Sequence, residues 1–229
     1  EGAKGVLEPL RMVKTEAEIQ LIRDACKLAD ACFSHVTRLI QPGVSEYDIS
    51  LEIEFYFRRN GAELAFPPIV VSGPNSAKPH GKATERKLQS GDFVTMDFGA
   101  KPAGYCSDLT RTVLVGEATD RHKEVYNQVL KGQLAALDAM KPGASAHDVD
   151  GLVRTILDEK GLAKYFGHGL GHGLGRVVHD FGRMGVGSKD VLEPGQVWTV
   201  EPGVYIEGFG GVRIEDDVVV TDTGIEVLT

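Results

Sequence analysis

The segment LQSGDFVTMDFG at residues 88–99 returns as LEPGQVWTVEPG at residues 192–203, with leucine, glycine, threonine, an acid and glycine in matching places. Upstream of each copy the same punctuation recurs 100 positions apart: Pro42, Gly43, Ser45, Asp48 and Gly61 answer to Pro142, Gly143, Ser145, Asp148 and Gly161. Five such residues at one offset mark an internal duplication of a helix, helix, strands unit. Two copies are too few for a solenoid, which stacks three or more units. The chain therefore reads as two half-domains, about 15–115 and 120–229, forming one α+β body with antiparallel sheet inside and helices outside.

The first unit opens with Thr15 and Glu18 in a capping-box pattern. Ile19, Ile22, Cys26, Ala29, Phe33, Val36 and Ile40 then keep one helix face inward. Gln41-Pro42-Gly43 ends that helix, and Ser45 with Asp48 opens a second one to about Asn60, where Gly61 supplies the stop.

FVTMDFGA (93–100) and GYCSDLTRTVLV (104–115) flank a turn and read as a hairpin. A two-residue tip at Pro102-Ala103 makes cross-strand partner numbers total 205, which places Asp97 opposite Asp108. Like charges on directly opposed residues are destabilising unless a cation lies between them. A divalent metal is the natural remedy. The duplication maps Asp97 onto Glu201, and a second hairpin turning through 207–211 brings Glu215 roughly opposite Glu201. Four carboxylates facing one axis carry about four negative charges, which two divalent ions balance.

The remaining ligand should be a nitrogen donor. GHGLGHGLGRVVH (167–179) offers His168, His172 and His179, among glycines that let backbone approach the site closely. That run has no GxGxxG spacing and no following Lys-Ser or Lys-Thr, which argues against a phosphate-binding loop. Taken singly, Asp97 and Asp108 are ordinary turn or edge-strand acids, and Glu215 beside Asp216 and Asp217 is a surface acidic cluster. The pairing and the duplication outweigh those readings. His35, His122 and His147 sit on predicted helices or their edges and read as surface residues. Cys26, Cys32 and Cys106 read as packing residues, although alternation puts Cys106 on the strand face of Asp108.

At 229 residues, 42% hydrophobic and 25% charged, the chain can bury a sizeable core, so disorder and a disulfide mini-protein are excluded. A net charge of -8 argues against a nucleic-acid backbone or an anionic membrane as partner. No stretch approaches the roughly 18 apolar residues of a membrane span. Three cysteines without CxxC pairing fit the reduced thiols of a cytoplasmic protein. Residues 1–12, EGAKGVLEPLRM, lack an initiator Met and the regions of a signal peptide, and read as a linker remnant.

In this order, DFGA (97–100), GYCSDLTRT (104–112), GHGLGHGLGRVVHD (167–180), TVEPGVYI (199–206) and GVRIEDDVVVTDTG (211–224) resemble the pita-bread metallopeptidases and, within them, the Xaa-Pro peptidases, prolidase and aminopeptidase P. The resemblance runs from about Leu10 onward. It implies the pseudo-twofold pita-bread fold for a catalytic domain spanning 13–229. It also implies a dinuclear centre in which Asp97 chelates one ion, Asp108 and Glu215 bridge both, and His172 and Glu201 complete the second. His172 is preferred to His168 because the family places its ligand His seven positions before another functional His, here His179. His168 itself, and Pro202-Gly203 after Glu201, match the Xaa-Pro branch rather than the methionine aminopeptidases. His80, in AKPHGKA (77–83), matches a His near the scissile nitrogen. Arg213 matches an Arg that holds ligand carboxylates in place. Arg183 matches a prolidase Arg that binds the free carboxylate of a dipeptide. The family's His-Glu-x-Pro-Arg reads HDFGR at 179–183, with Gly182 where proline stands.

The implied activity is hydrolysis of the bond between an N-terminal residue and proline by a metal-bridged hydroxide. Glu201 is the general base, His168 and His179 bond the carbonyl or oxyanion, and His80 faces the prolyl nitrogen. The oxygen-rich donor set favours Mn²⁺, with Co²⁺, Zn²⁺ and Fe²⁺ also fitting. Arg183 tilts the reading toward a dipeptidase over an aminopeptidase. The family further implies a homodimer and an additional N-terminal domain at the substrate entrance, with LRMVKTEAEIQLIRDA (10–25) starting the catalytic part. Two alternatives stay open. A methionine aminopeptidase would cleave Met-initiated peptides without proline, and a metal-free relative of the same fold would bind little metal.

Overall fold

In the computed structural model, which describes residues 7–229, Thr15 and Glu18 form the expected capping box at the start of a 21-residue helix. Residues 1–6 of the stretch read as a linker lie outside the described residues, and its remainder forms helix α1 (Leu7–Met12). The first half continues with α2 (Glu16–Val36), α3 (Glu46–Arg59), β1 (Glu63–Leu64), β2 (Ile69–Ser72), β3 (Phe93–Phe98), β4 (Ala100–Lys101) and β5 (Leu109–Leu114). The second half contains α4 (Asp120–Ala139), α5 (Ala146–Asp158), β6 (Gly171–Gly173), β7 (Asp180–Met184), β8 (Val197–Val200), β9 (Gly203–Ile206), β10 (Gly210–Arg213), β11 (Asp216–Val220) and β12 (Ile225–Val227).

The duplication is repeated bond for bond. Gly43 N–H donates to Leu88 O (3.0 Å) as Gly143 N–H does to Leu192 O (2.8 Å), and Gly91 N–H donates to Val115 O as Gly195 N–H does to Val220 O. Both Gly43 (φ 93°) and Gly143 (φ 84°) sit in the left-handed region, which explains why glycine recurs there. In each half an antiparallel sheet, β2-β3-β5 in one and β12-β11-β8-β6-β7 in the other, carries a helix pair. Trp198 and Phe57 are the largest fully buried side chains, one in the core under α4 and α5, the other in the core under α2 and α3.

The first hairpin differs in register from the sequence expectation. Asp97 pairs with Thr110 and Phe98 with Leu109, so partner numbers total 207. Ala100 and Ser107 continue that register through Ser107 N–H to Ala100 O, and the connection is longer than a two-residue tip. A shift of two preserves face, so Asp108 stays on the same side as Asp97, as its diagonal neighbour. In the second half β9 with β10 and β8 with β11 share one register, totalling 416, which sets Glu201 level with Glu215 as expected.

Two smaller expectations are corrected. His122 is buried, its ring stacked on Phe209 (5.2 Å) and edge-on to Phe93 (5.0 Å), while its Nδ1 meets the Thr119 cap. Cys106 lies in a core cluster with Cys26 and Leu174, away from the site. All three cysteines are free and buried, as packing residues should be. Among the described residues no helix is long and apolar enough to cross a membrane.

Candidate functional site

Where the two half-sheets face each other lies a cavity of about 270 Å³. All ten residues singled out from the sequence line it: His80, Asp97, Asp108, His168, His172, His179, Arg183, Glu201, Arg213 and Glu215. β3 delivers Asp97, the entry to β5 delivers Asp108, β6 delivers His172, and the crossing points of the second hairpin deliver Glu201 and Glu215.

Asp108, His172 and Glu215 bring ligand atoms within 4.8 Å of one another. His172 Nε2 stands 3.6 Å from Asp108 Oδ2 and 3.4 Å from Glu201 Oε1. Its Nδ1 lies 3.1 Å from Gly173 O, and since a carbonyl can only accept, the proton sits on Nδ1 and the Nε2 lone pair faces the carboxylates. Burial lowers the His172 pKa to about 4, which keeps the ring neutral. His168 is placed differently: Nδ1 meets Gly169 O (2.8 Å) and Nε2 meets the Tyr205 hydroxyl (2.8 Å). The structure thus separates the ligand-facing histidine from its neighbour four residues earlier. Both ring nitrogens of His168 are thus engaged, while the His179 ring lies 4.4 Å from that of His172.

The acids are crowded and poorly compensated. Burial pushes the carboxyl groups of Asp108 and Glu215 well up, reinforced for Asp108 by Glu215 and Asp97 and for Glu215 by Glu201 and Asp97, and it pushes Glu201 up to about 7. Arg213, 3% exposed, is the cation that answers them: Nη2 donates to Asp97 Oδ2 (2.5 Å), Nε to Thr110 Oγ1 (3.0 Å) and Nη1 to the Tyr205 hydroxyl (2.7 Å). One arginine cannot balance four carboxylates.

The residues fit a divalent-metal centre. Asp97 Oδ1 is buried without a hydrogen-bond partner, an expensive vacancy unless a cation meets it. One imidazole nitrogen with four carboxylates is a donor set for borderline to hard divalent ions.

Sequence reasoning missed several contributors. Thr110 Oγ1 donates to Glu215 Oε2 (2.5 Å), Thr199 Oγ1 donates to Glu201 Oε1 (3.2 Å), and Phe66, Ile69, Pro79 and Val178 supply apolar wall. Tyr205 was the legible one, because it lies two residues from Gly203, the partner of Arg213, and so on the same face as that arginine. The glycine run acts otherwise than expected. A Cβ at Gly171 would stand 2.0 Å from Thr199 O and one at Gly173 1.8 Å from Phe181 O, so these glycines admit neighbouring strands rather than the site itself. Gly182, at φ +104°, lies under the Trp198 indole, where no proline could sit, and Arg183 extends from strand β7 with its N–H held by Asp190 (2.7 Å).

Comparison with known proteins identifies a family and its relatives. The profile of metallopeptidase family M24 matches residues 20–222. The chain is 41% identical over 225 residues to a Pyrococcus furiosus protein named Xaa-Pro dipeptidase, covering 98% of this chain and 65% of that one. It is similar to the solved structure of an Xaa-Pro dipeptidase from Bacillus anthracis, with a TM-score of 0.96 and 50% identity over 98% of this chain and 64% of that one. An X-Pro aminopeptidase from Thermotoga maritima superposes with a TM-score of 0.94 at 41% identity, covering 97% of this chain and 64% of that one. The chain thus spans just under two thirds of the length of these relatives.

Proposed function

The chain belongs to metallopeptidase family M24, and from that premise we propose that it hydrolyses the peptide bond between an N-terminal residue and proline, with an Xaa-Pro dipeptide as the favoured substrate. The observation that carries the reading is the convergence, on one cavity, of four acids and the Nε2-presenting His172 with His80, His179 and Arg183. In this reading residues 13–229 form the catalytic unit, onto which α1 docks through Arg11 and Asp180 (3.0 Å).

Asp97, Asp108, His172, Glu201 and Glu215 would hold two divalent ions, Mn²⁺ being favoured by the oxygen-rich set. When bound, such ions lower the pKa of water and polarise a carbonyl oxygen. Glu201, whose Oε1 stands 3.4 Å from His172 Nε2 in the cavity, would accept the proton of the attacking water. His179 hydrogen-bonds the carbonyl oxygen as charge develops there. His80 faces the prolyl nitrogen, which carries no hydrogen for an ordinary peptidase to bind. Arg213 holds Asp97, and Arg183 meets the free carboxylate of the dipeptide. A neighbouring hollow lined by Arg154, Phe166, Gly167 and Val186 shares Arg183 and His168 with the cavity, and it is the observation that favours an aminopeptidase acting on longer peptides.

The test is hydrolysis of an Xaa-Pro dipeptide, an Xaa-Pro-Xaa tripeptide and a Met-initiated peptide without proline by chelator-stripped protein, before and after Mn²⁺ is returned. Mn²⁺-dependent cleavage of the dipeptide is expected, with Arg183→Ala raising its KM. Cleavage of the tripeptide alone would make the enzyme an aminopeptidase, and cleavage of only the proline-free peptide would overturn the Xaa-Pro reading.

A further inference from the structure

His80 rides on an irregular stretch, residues 73–84, whose only regular structure is a short 3₁₀ turn over Gly73–Ala77. Such a segment has few hydrogen bonds of its own, yet a residue facing a scissile nitrogen must be held closely, since a misplacement of about 1 Å can cost roughly 100-fold in rate. Its middle is met by Arg213 Nη1 at Pro79 O (3.3 Å) and by Gly211 N–H at Ser76 Oγ (2.8 Å), and the side-chain bonds at its two ends converge on one residue. Glu46, on the first turn of α3 and fully buried, accepts at Oε1 from Ser72 N–H (2.7 Å) and Ser72 Oγ (2.7 Å) and at Oε2 from Thr84 N–H (3.0 Å) and Thr84 Oγ1 (2.6 Å). Asn75 Nδ2 reaches the same carboxylate at 3.3 Å. One carboxylate thus ties together the two ends of the His80 segment.

The second half uses α5 in the same way. Asp150, also fully buried, accepts from Leu170 N–H (3.1 Å) and pairs with Arg154 Nε (2.7 Å). Arg154 in turn donates to Phe166 O (3.0 Å) and His168 O (2.6 Å), and its guanidinium lies 4.4 Å from the centre of the Phe166 ring. Neither Glu46 nor Asp150 lines the cavity, and neither occupies the equivalent place in the duplication, so the likeness lies in what each does.

We propose that the second helix of each half carries a buried carboxylate whose task is to position the substrate-side histidine segment of that half: Glu46 for His80, and Asp150 through Arg154 for His168. Both are positioning residues, and their effect on rate rests on the Xaa-Pro peptidase reading above. The clamps themselves do not.

The experiment combines amide hydrogen exchange with a double-mutant cycle on the metal-loaded protein. Glu46→Gln keeps one acceptor oxygen but turns an amide NH₂ toward either Ser72 or Thr84. Exchange across residues 73–84 should rise at least about tenfold while 166–170 is unchanged. Arg154→Lys should do the reverse. The kcat/KM for an Xaa-Pro peptide should fall about 10- to 100-fold in Glu46→Gln, but less than about twofold further once His80→Ala is present, with bound metal unchanged. Thr84→Val, which removes one donor and buries no charge, gives a milder form of the same effect if Glu46→Gln folds poorly. Exchange that stays at the wild-type level, exchange that rises evenly over the whole chain, or losses that multiply fully with His80→Ala would overturn the proposal. A wild-type protein that cleaves no Xaa-Pro peptide would sink the functional reading instead, and the exchange pattern would still decide the clamps.

Discussion

Returning metal to the chelator-stripped protein should release protons, and the number is set by the buried acids. With Glu201 raised to about 7, its carboxyl holds about 0.8 proton at pH 6.5. Asp108 and Glu215 are also raised, Asp108 by burial and the Glu215 charge, Glu215 by burial and the Glu201 charge, so they can only add to that release. His172, lowered to about 4, is already neutral and releases none. The total expected at pH 6.5 is therefore at least about 0.8 proton, because ligands must be ionised to bind. The Glu201 share falls below about 0.1 at pH 8.5. Calorimetric Mn²⁺ titrations in two buffers of different ionisation enthalpy give the count directly. Release of fewer than about 0.3 proton at pH 6.5 would refute the reasoning, since it would mean that the carboxylates are already charged without metal.

The same shifts fix how stability depends on pH. The Glu201 pKa is raised on folding from 4.5 to about 7, so its contribution is complete below about 4.5 and is lost as pH climbs through 7, about 3 kcal/mol in all. His172 and His168, lowered to about 4, cost stability only as pH falls below about 6.5. Lys14, lowered to about 8 by burial, acts alike with and without metal. Between pH 6.5 and 8 the acids therefore set the difference, and the melting temperature of the metal-free protein should drop progressively below that of the loaded one.

Three substitutions extend these tests. His172→Ala removes the imidazole donor and should lower metal content by at least one equivalent by elemental analysis, with the circular dichroism spectrum unchanged. Gly182→Ala forces a Cβ to 2.6 Å from the Trp198 ring at φ +104° and should cost about 3 kcal/mol, lowering Tm by roughly 5 to 10 °C in a thermal melt. Tyr205→Phe removes the hydroxyl shared by Arg213 and His168 and should cut kcat/KM about tenfold while metal stoichiometry stays the same; an unchanged kcat/KM would show that this bridge does not tune the site.

What the sequence disclosed follows from how local each feature is. The duplication could be read because its markers are local chemistry: a capping serine bonded to the N–H of Asp48 or Asp148, and glycines at positive φ after a helix. The acids and histidines that line the cavity could be read because they fall in motif strings that are short and ordered. Glu46 and Thr110 act through partners 26 and 105 residues away, Ser72 and Glu215, and no local pattern announces such a contact. His122 was misread for the same reason, since its burial depends on Phe209 in a hairpin of the second half.

The hairpin register was misjudged by two, yet Asp97 and Asp108 still line one cavity, because a shift of two keeps both on one strand face. Direct opposition would put the Asp97 and Asp108 β-carbons about 5 Å apart, whereas the diagonal relation spaces their Cα atoms about 7 to 8 Å apart and leaves room for an ion. The second pair is arranged otherwise. Glu201 and Glu215 share a register level at a place where opposed residues exchange no hydrogen bond, so their N–H groups turn outward, Glu201 N–H to Leu170 O (2.8 Å) and Glu215 N–H to Thr110 O (3.1 Å). Beside them Pro202 has no N–H to give Ile214, which leaves Ile214 N–H to Pro202 O (3.3 Å) between the β8–β11 pair and the β9–β10 pair. The bond from Glu215 to Thr110 joins one half of the duplication to the other, so backbone of the first half fixes an acid of the second.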